Sequence, residues 1–269
     1  MKKEKRIVRV EEPKTNEKVE LNKEGKIVHV DAIPKEGATP RRIGAVVLWI
    51  LAIACEIVAI LNVVNKLELP KFSQTVWLIV LIVLDLIFVI CGSMLWKKAN
   101  HIDPASEKNK VKFWLWNNLG SLVSVVAFLP LIIFVLTSKD MDKRTKTIVS
   151  IVAAVALLIG GLASYDFNPV SSEQLEAAKA EILANGNYDT DEKTGEPIVY
   201  WVKNSKKYHI RSTCSAINRS NSADDVINAG TLEAAYQKGL TEPCRICIKA
   251  MEKLQQEDAT KKVEETKGE

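Results

Sequence analysis

Four apolar blocks dominate the middle of the chain. Between Arg42 and Lys66 the only charge is Glu56, and between Lys71 and Lys97 the only charge is Asp85. No charge falls between Lys112 and Lys139 or between Lys146 and Asp166. Each block is long enough to cross a bilayer core about 30 Å thick, which takes about 20 helical residues. A buried helix of a water-soluble protein keeps a polar position on every turn, and "WLIVLIVLDLIFVICGSMLW" does not. The pattern predicts four membrane-spanning helices at 43–65, 74–96, 113–137 and 147–165, grouped in a bundle over 42–166. The bilayer is thus the first expected partner.

The spans fall into two hairpins around one inner loop, "KKANHIDPASEKNKVK", which favours an antiparallel bundle. Small residues mark contact faces: Ala45, Ala52 and Ala59 in the first span, Gly120 and Ser124 in the third, and Ala156, Gly160 and Ser164 in the fourth. Glu56 and Asp85 lie near the centres of adjacent spans, each on the small-residue face of its helix. Their expected partners are each other, Asn117, Asn118 or Ser124, a candidate intramembrane polar site. Such carboxyls either serve ion or proton movement or fasten helices, or copies in a homo-oligomer, through hydrogen bonds. Cys55 and Cys91 read as small packing residues.

Outside the bundle the periodicity changes. Residues 1–41 hold short alternating pieces, "RIVRV", "KVEL" and "KIVHV", compatible with a small sheet or with a disordered leader. No cleavable signal peptide precedes the first span. Residues 167–197 read as a helix and linker. Ser171 and Gln174 suit a capping box and Gly186 the left-handed residue that stops the helix. "NYDTDEKTGEP" lacks the glycine and terminal glutamate of a calcium loop and reads as a solvated turn. From 198 to 255 come two strands around a turn at 203–206, a short helix that starts at Thr231 and ends at Gly239, and a final helix from "CRICIKAMEKLQQ". Residues 256–269 form a charged tail. The expected fold class is mainly α, a four-helix transmembrane bundle with a small α+β C-terminal domain.

Charge sets orientation. With both termini inside, eleven basic residues flank the spans on the inner side and six on the outer. This favours a multi-pass protein of the cell (inner, cytoplasmic) membrane with both termini in the cytoplasm. The net charge of +4 divides as +4 over 1–42, +3 over 43–166 and −3 over 167–269. An acidic tail is a poor general nucleic-acid binder, yet Lys203, Lys206, Lys207, Arg211 and Arg219 form a local basic run without an intervening acid. Tyr200, Trp201 and Tyr208 beside it offer stacking surface or core packing.

Three of the five cysteines, Cys214, Cys244 and Cys247, fall in this tail, where a reducing compartment disfavours disulfides. With His209 they read H-x4-C, then C-x2-C after twenty-nine residues. Zn²⁺ takes four nitrogen or sulfur ligands at tetrahedral corners, and C-x2-C at the mouth of a helix lets two thiolates reach one ion. A module this small buries too little apolar surface to hold itself together, so a structural zinc would supply folding free energy. Four protein ligands leave no open position for a catalytic water, and His29 and His101 stand alone in polar segments and read as solvated. No catalytic residue is expected.

The order "YHIRSTCSAI", "GTLEAAYQKGL", "PCRIC" over 198–252 resembles the zinc-binding module related to the metal-binding domain of the Ada DNA-repair protein, which recurs at the ends of bacterial membrane proteins. The resemblance implies His209, Cys214, Cys244 and Cys247 as metal ligands and a β-hairpin packed on short helices. Ada uses four cysteines, the first of which accepts a methyl group. His209 holds that place here and lacks the thiolate, so alkyl transfer is not expected. Two functions follow as expectations. One is a membrane protein displaying a zinc-stabilised module to a protein or nucleic-acid partner; the other is a small channel, transporter or transport regulator built on Glu56 and Asp85.

Overall fold

The computed structural model describes residues 7–8, 27–67, 73–139, 141–186, 188–191, 195–218 and 226–265. They form two compact units, one from 1–34 with 170–269 and one from 35–169. The leader's "KVEL" piece lies outside the described residues.

In the 35–169 unit the elements are α1 (Ala38–Val63), α2 (Gln74–Ile102), α3 (Lys110–Asn117), α4 (Leu119–Thr137) and α5 (Lys143–Ser164). Four helices are long and apolar enough to cross a membrane: Lys35–Val63, Gln74–Ile102, Leu119–Thr137 and Lys143–Ser164. Large apolar side chains such as Ile43, Ile57, Leu158 and Leu162 point outward and small ones inward, the reverse of a water-soluble bundle. Ala45, Ala52, Ala59, Gly120, Ser124, Ala156, Gly160 and Ser164 are all buried. They permit close approach: a Cβ on Gly160 would sit 2.6 Å from the Ser124 Oγ, and one on Gly92 2.6 Å from the Trp49 Nε1. Cys55 is half-buried and Cys91 is exposed, so only the first packs as expected of both.

The third apolar block is not one helix. It begins as α3, whose Asn109 cap accepts from the Lys112 N–H at 3.0 Å, and breaks at Asn118 before α4 starts. A helix break leaves carbonyls without intrahelical partners. The Trp116 carbonyl is met from α2, by the Trp96 Nε1 at 2.8 Å and the Asn100 Nδ2 at 3.4 Å, while the Asn117 and Asn118 amides reach back one turn to the Phe113 and Trp114 carbonyls at 3.0 and 3.1 Å.

The other unit contains β1 (Ile7–Val8), β2 (Ile27–His29), α6 (Ser172–Asn185), β3 (Asp189–Thr190), β4 (Pro197–Trp201), β5 (Lys207–Tyr208), β6 (Ile227–Thr231), α7 (Leu232–Gln237), β7 (Glu242–Pro243) and α8 (Arg245–Glu265). The caps read from the sequence are in place: Ser171 Oγ accepts from the Gln174 N–H, Gly186 is left-handed with φ 65°, and Thr231 caps α7. A five-stranded sheet runs in the order β1-β2-β6-β4-β3. The expected hairpin is reduced to a single antiparallel bridge, Tyr200 to His209, because β4 takes β6 as its main partner and β5 pairs with β7. All five residues of β4 are buried, so it is the spine of this core.

The leader supplies part of that sheet. β2 lies parallel to β6, and the Val30 N–H continues the ladder to the Ala229 carbonyl at 2.7 Å. Gln237 extends it with a two-way clasp on Ile33, its Nε2 donating to the carbonyl at 2.8 Å and its Oε1 accepting from the N–H at 2.7 Å. His29 is not solvated: it is buried, with its Nε2 3.0 Å from Asp31 and 3.6 Å from Asp191. His101 lies 3.9 Å from buried Asp166.

Gly230 makes the seam possible, since a Cβ there would fall 2.3 Å from the Val30 carbonyl oxygen. Backbone cannot swing aside as a side chain can. Gly230→Ala is therefore expected to lower stability by about 1–3 kcal/mol and to speed proteolysis between residues 27 and 34, read by thermal unfolding and limited digestion of the full chain.

Candidate metal centre

Two stretches of backbone, 209–214 and 244–247, deliver the ligand atoms. His209 follows β5 and is held by the reciprocal bridge to Tyr200, with N–H to carbonyl distances of 2.7 Å both ways. Cys214 sits in a tight turn in which its carbonyl accepts from the Ile217 and Asn218 N–H groups. Asp189 steadies the approach to this turn by accepting from the Ser212 N–H and hydroxyl at 3.2 and 3.0 Å. Cys244 is placed by its own N–H, which donates to the Tyr208 carbonyl at 2.8 Å, and α8 begins at the next residue. Cys247 lies one turn inside α8, on the same side of the helix mouth as Cys244.

The four ligand atoms, one imidazole nitrogen and three sulfurs, all lie within 4.8 Å of one another and all four residues are buried. The ring presents Nδ1, at 3.4 Å from the Cys214 sulfur and 4.0 Å from the Cys247 sulfur. Tetrahedral coordination at about 2.0–2.3 Å implies ligand-to-ligand separations of roughly 3.5–3.8 Å. The observed spacing fits such an ion without rearrangement of the chain, and the group could hold a metal.

Electrostatics argue the same way. Burial pushes the Cys247 thiol up to about 12, with the neighbouring thiols adding to the effect and the Ile210 N–H opposing it. Burial also holds the His209 imidazole below its ordinary value, hence neutral and able to act as a ligand at neutral pH. A cation among the sulfurs would reverse the penalty on the thiolates. The surroundings are apolar: Tyr208, Ile210, Ile217, Leu240 and Met251 belong to the same buried cluster as the cysteines.

The other candidate residues are distributed differently. Glu56 and Asp85 are both buried, 5 % and 1 % exposed. Neither Asp85 carboxylate oxygen has a hydrogen-bond partner, nor does the Glu56 Oε1. Asn117 and Asn118 are not with them. The Asn117 Oδ1 accepts from Asn100 at 3.2 Å and the Asn118 Oδ1 from the Asp166 N–H at 2.9 Å, because the helix break recruits both amides. In the basic run, Lys203 and Lys206 are exposed, Lys207 is paired with Glu242 at 2.7 Å, and Arg211 is half-buried. Arg219 lies outside the described residues. Tyr200, Trp201 and Tyr208 are 0, 4 and 2 % exposed, so they are core and not a stacking platform. The sequence reading missed the buried His29 and Asp191 pair and the choice of Nδ1 on His209.

No family model matches the chain, and no curated protein or solved structure matches it either.

Full-length protein purified in detergent is expected to carry one metal equivalent, measured by elemental analysis. Cys214→Ser or Cys247→Ser should lower affinity by at least 10–100-fold and reduce thermal stability by several kcal/mol. Because the thiols must lose protons to bind, affinity should rise with pH, read by competition with a chromophoric chelator.

Proposed function

We propose that this is a multi-pass membrane protein that anchors a zinc-stabilised module at the cytoplasmic face and presents it to a protein partner. The observation that carries the reading is the buried set of His209, Cys214, Cys244 and Cys247 within one ion's reach. Three sulfurs and one nitrogen select zinc over hard cations. Four protein donors complete its shell, which favours a structural role, and the metal when bound would supply cross-linking of β5, the Cys214 turn and α8. The Ada-like order of ligands supports the same assignment, with His209 in place of the methyl-accepting cysteine arguing against alkyl transfer.

Sheet pairing supports the topology. β2 precedes the first apolar helix and β6 follows the last, yet they share a ladder. The shared ladder supports placing both on one side of a bilayer, as an even number of crossings requires. The basic flanks favour the cytoplasm as that side.

A protein partner is favoured over nucleic acid. The aromatics that would stack on bases are buried, and Lys207 is already paired, leaving a sparse basic surface. Titration of the full chain with single-stranded DNA and RNA at two salt concentrations is expected to show no salt-sensitive binding; tight binding that weakens steeply with salt would restore the nucleic-acid reading.

A second reading rests on the bare carboxylates. Buried acid oxygens without partners in an apolar bundle mark ion or proton pathways by default. Under it the four helices form a small channel, transporter or transport regulator. Liposome flux assays with Glu56→Gln and Asp85→Asn decide between the two: a flux abolished by either change supports transport, and no flux above empty liposomes supports the anchor.

A further inference from the structure

At the end of the bundle where α3 leaves α4, the surface combines exposed aromatic and aliphatic side chains with lysines. α3 exposes Val111, Trp114, Leu115 and Trp116, at 69, 46, 42 and 37 %. Phe167, 68 % exposed, stands beside it, its ring edge against Tyr165 at 4.8 Å, and the Trp114 Nε1 reaches the Tyr165 hydroxyl at 3.5 Å. Around these apolar groups are exposed Lys98, Lys108, Lys110 and Lys112.

The helix is locked in this position by buried hydrogen bonds. The Trp96 Nε1 donates to the Trp116 carbonyl at 2.8 Å, Asn100 binds Asn117, and Asn118 joins the Trp114 carbonyl to the Asp166 N–H. Trp116 is also stacked under Arg42, whose guanidinium lies 5.5 Å from the ring and pairs with Asp103 at 2.9 Å. Arg42 thus takes up one of the two acids of the connecting loop, so the lysines dominate the field outside.

We propose that α3 and the Tyr165–Phe167 turn form a docking surface for anionic phospholipid, with Lys108, Lys110 and Lys112 on the headgroup phosphates and Trp114, Leu115 and Phe167 at the acyl boundary. This rests on the reading of the four helices as membrane-spanning. Lys110 and Lys112 each stand one turn before Trp114 and Trp116 on the same faces of α3, so charge comes first and aromatic surface follows toward the span, and tryptophan prefers the headgroup level. The charge complement is a negative leaflet, since a neutral one gives exposed lysines no preference. The surface therefore also fixes which leaflet this end of the bundle faces.

The test uses the full chain in phosphatidylcholine nanodiscs doped with either brominated phosphatidylglycerol or brominated phosphatidylcholine, with tryptophan quenching as the readout. The expected result is an enrichment of the anionic lipid on the order of tenfold, lost in Lys108→Gln/Lys110→Gln/Lys112→Gln and kept in Lys203→Gln/Lys206→Gln. Equal quenching by the two lipids in the wild type, or enrichment unchanged in the triple variant, overturns the proposal. Alkaline extraction from vesicles separates the two levels. A chain released by it fails the membrane reading itself, whereas a retained chain without lipid preference fails only this inference.

Discussion

Three thiols and an imidazole held within 4.8 Å of one another in an apolar core are the constraint on which the C-terminal unit depends. Burial makes the Cys247 thiol resist ionisation, and a neutral cluster offers little cohesion. A cation would change the sign of the local energetics and join the 209–214 and 244–247 segments in one cross-link. The surrounding geometry serves that end. The Tyr200–His209 bridge, the Cys244 N–H to the Tyr208 carbonyl and the Ser212–Asp189 contacts each fix one ligand from outside the cluster.

The same unit closes the chain on itself. β2 and β6 are about two hundred residues apart, with all the apolar helices between them, and they still share a parallel ladder reinforced by the Gln237 clasp on Ile33. The ligand set, sheet and leader thus belong to one core. A change at the ligand set would be felt at the leader, and a side chain at Gly230 would be felt in the sheet beside the cysteines.

Much of this was legible in the sequence because it is local. Charge-free blocks mark the long helices, Ser171 and Thr231 mark helix starts, and ligand spacing singles out His209, Cys214, Cys244 and Cys247. What escaped is long-range or context-bound. Nothing within "KIVHV" says that its partner is "INAGT", and parallel pairing leaves no turn signal between them. Asn117 and Asn118 sit in an apolar block and look like partners for the buried carboxylates. They instead bond α3's own carbonyls, Asn100 and the Asp166 N–H at a helix break that no proline announces. Tyr200, Trp201 and Tyr208 neighbour lysines along the chain yet point into the core, because alternation within a short strand cannot show which face is covered. Fold class was therefore readable and the unit boundaries were not, since a leader read as separate joins the tail.

Glu56 and Asp85 are the buried acids of the bundle's middle. At the α3 end the Trp96 indole and the Asn100 amide reach the Trp116 carbonyl, whereas the two acids near mid-helix leave three oxygens bare. The ligand set, not the carboxylate pair, is the feature the whole account needs. The most direct test of it is zinc-edge X-ray absorption on the full-length protein: the account predicts a first shell of three sulfurs and one nitrogen at about 2.3 and 2.0–2.1 Å. A shell dominated by oxygen or nitrogen would contradict it.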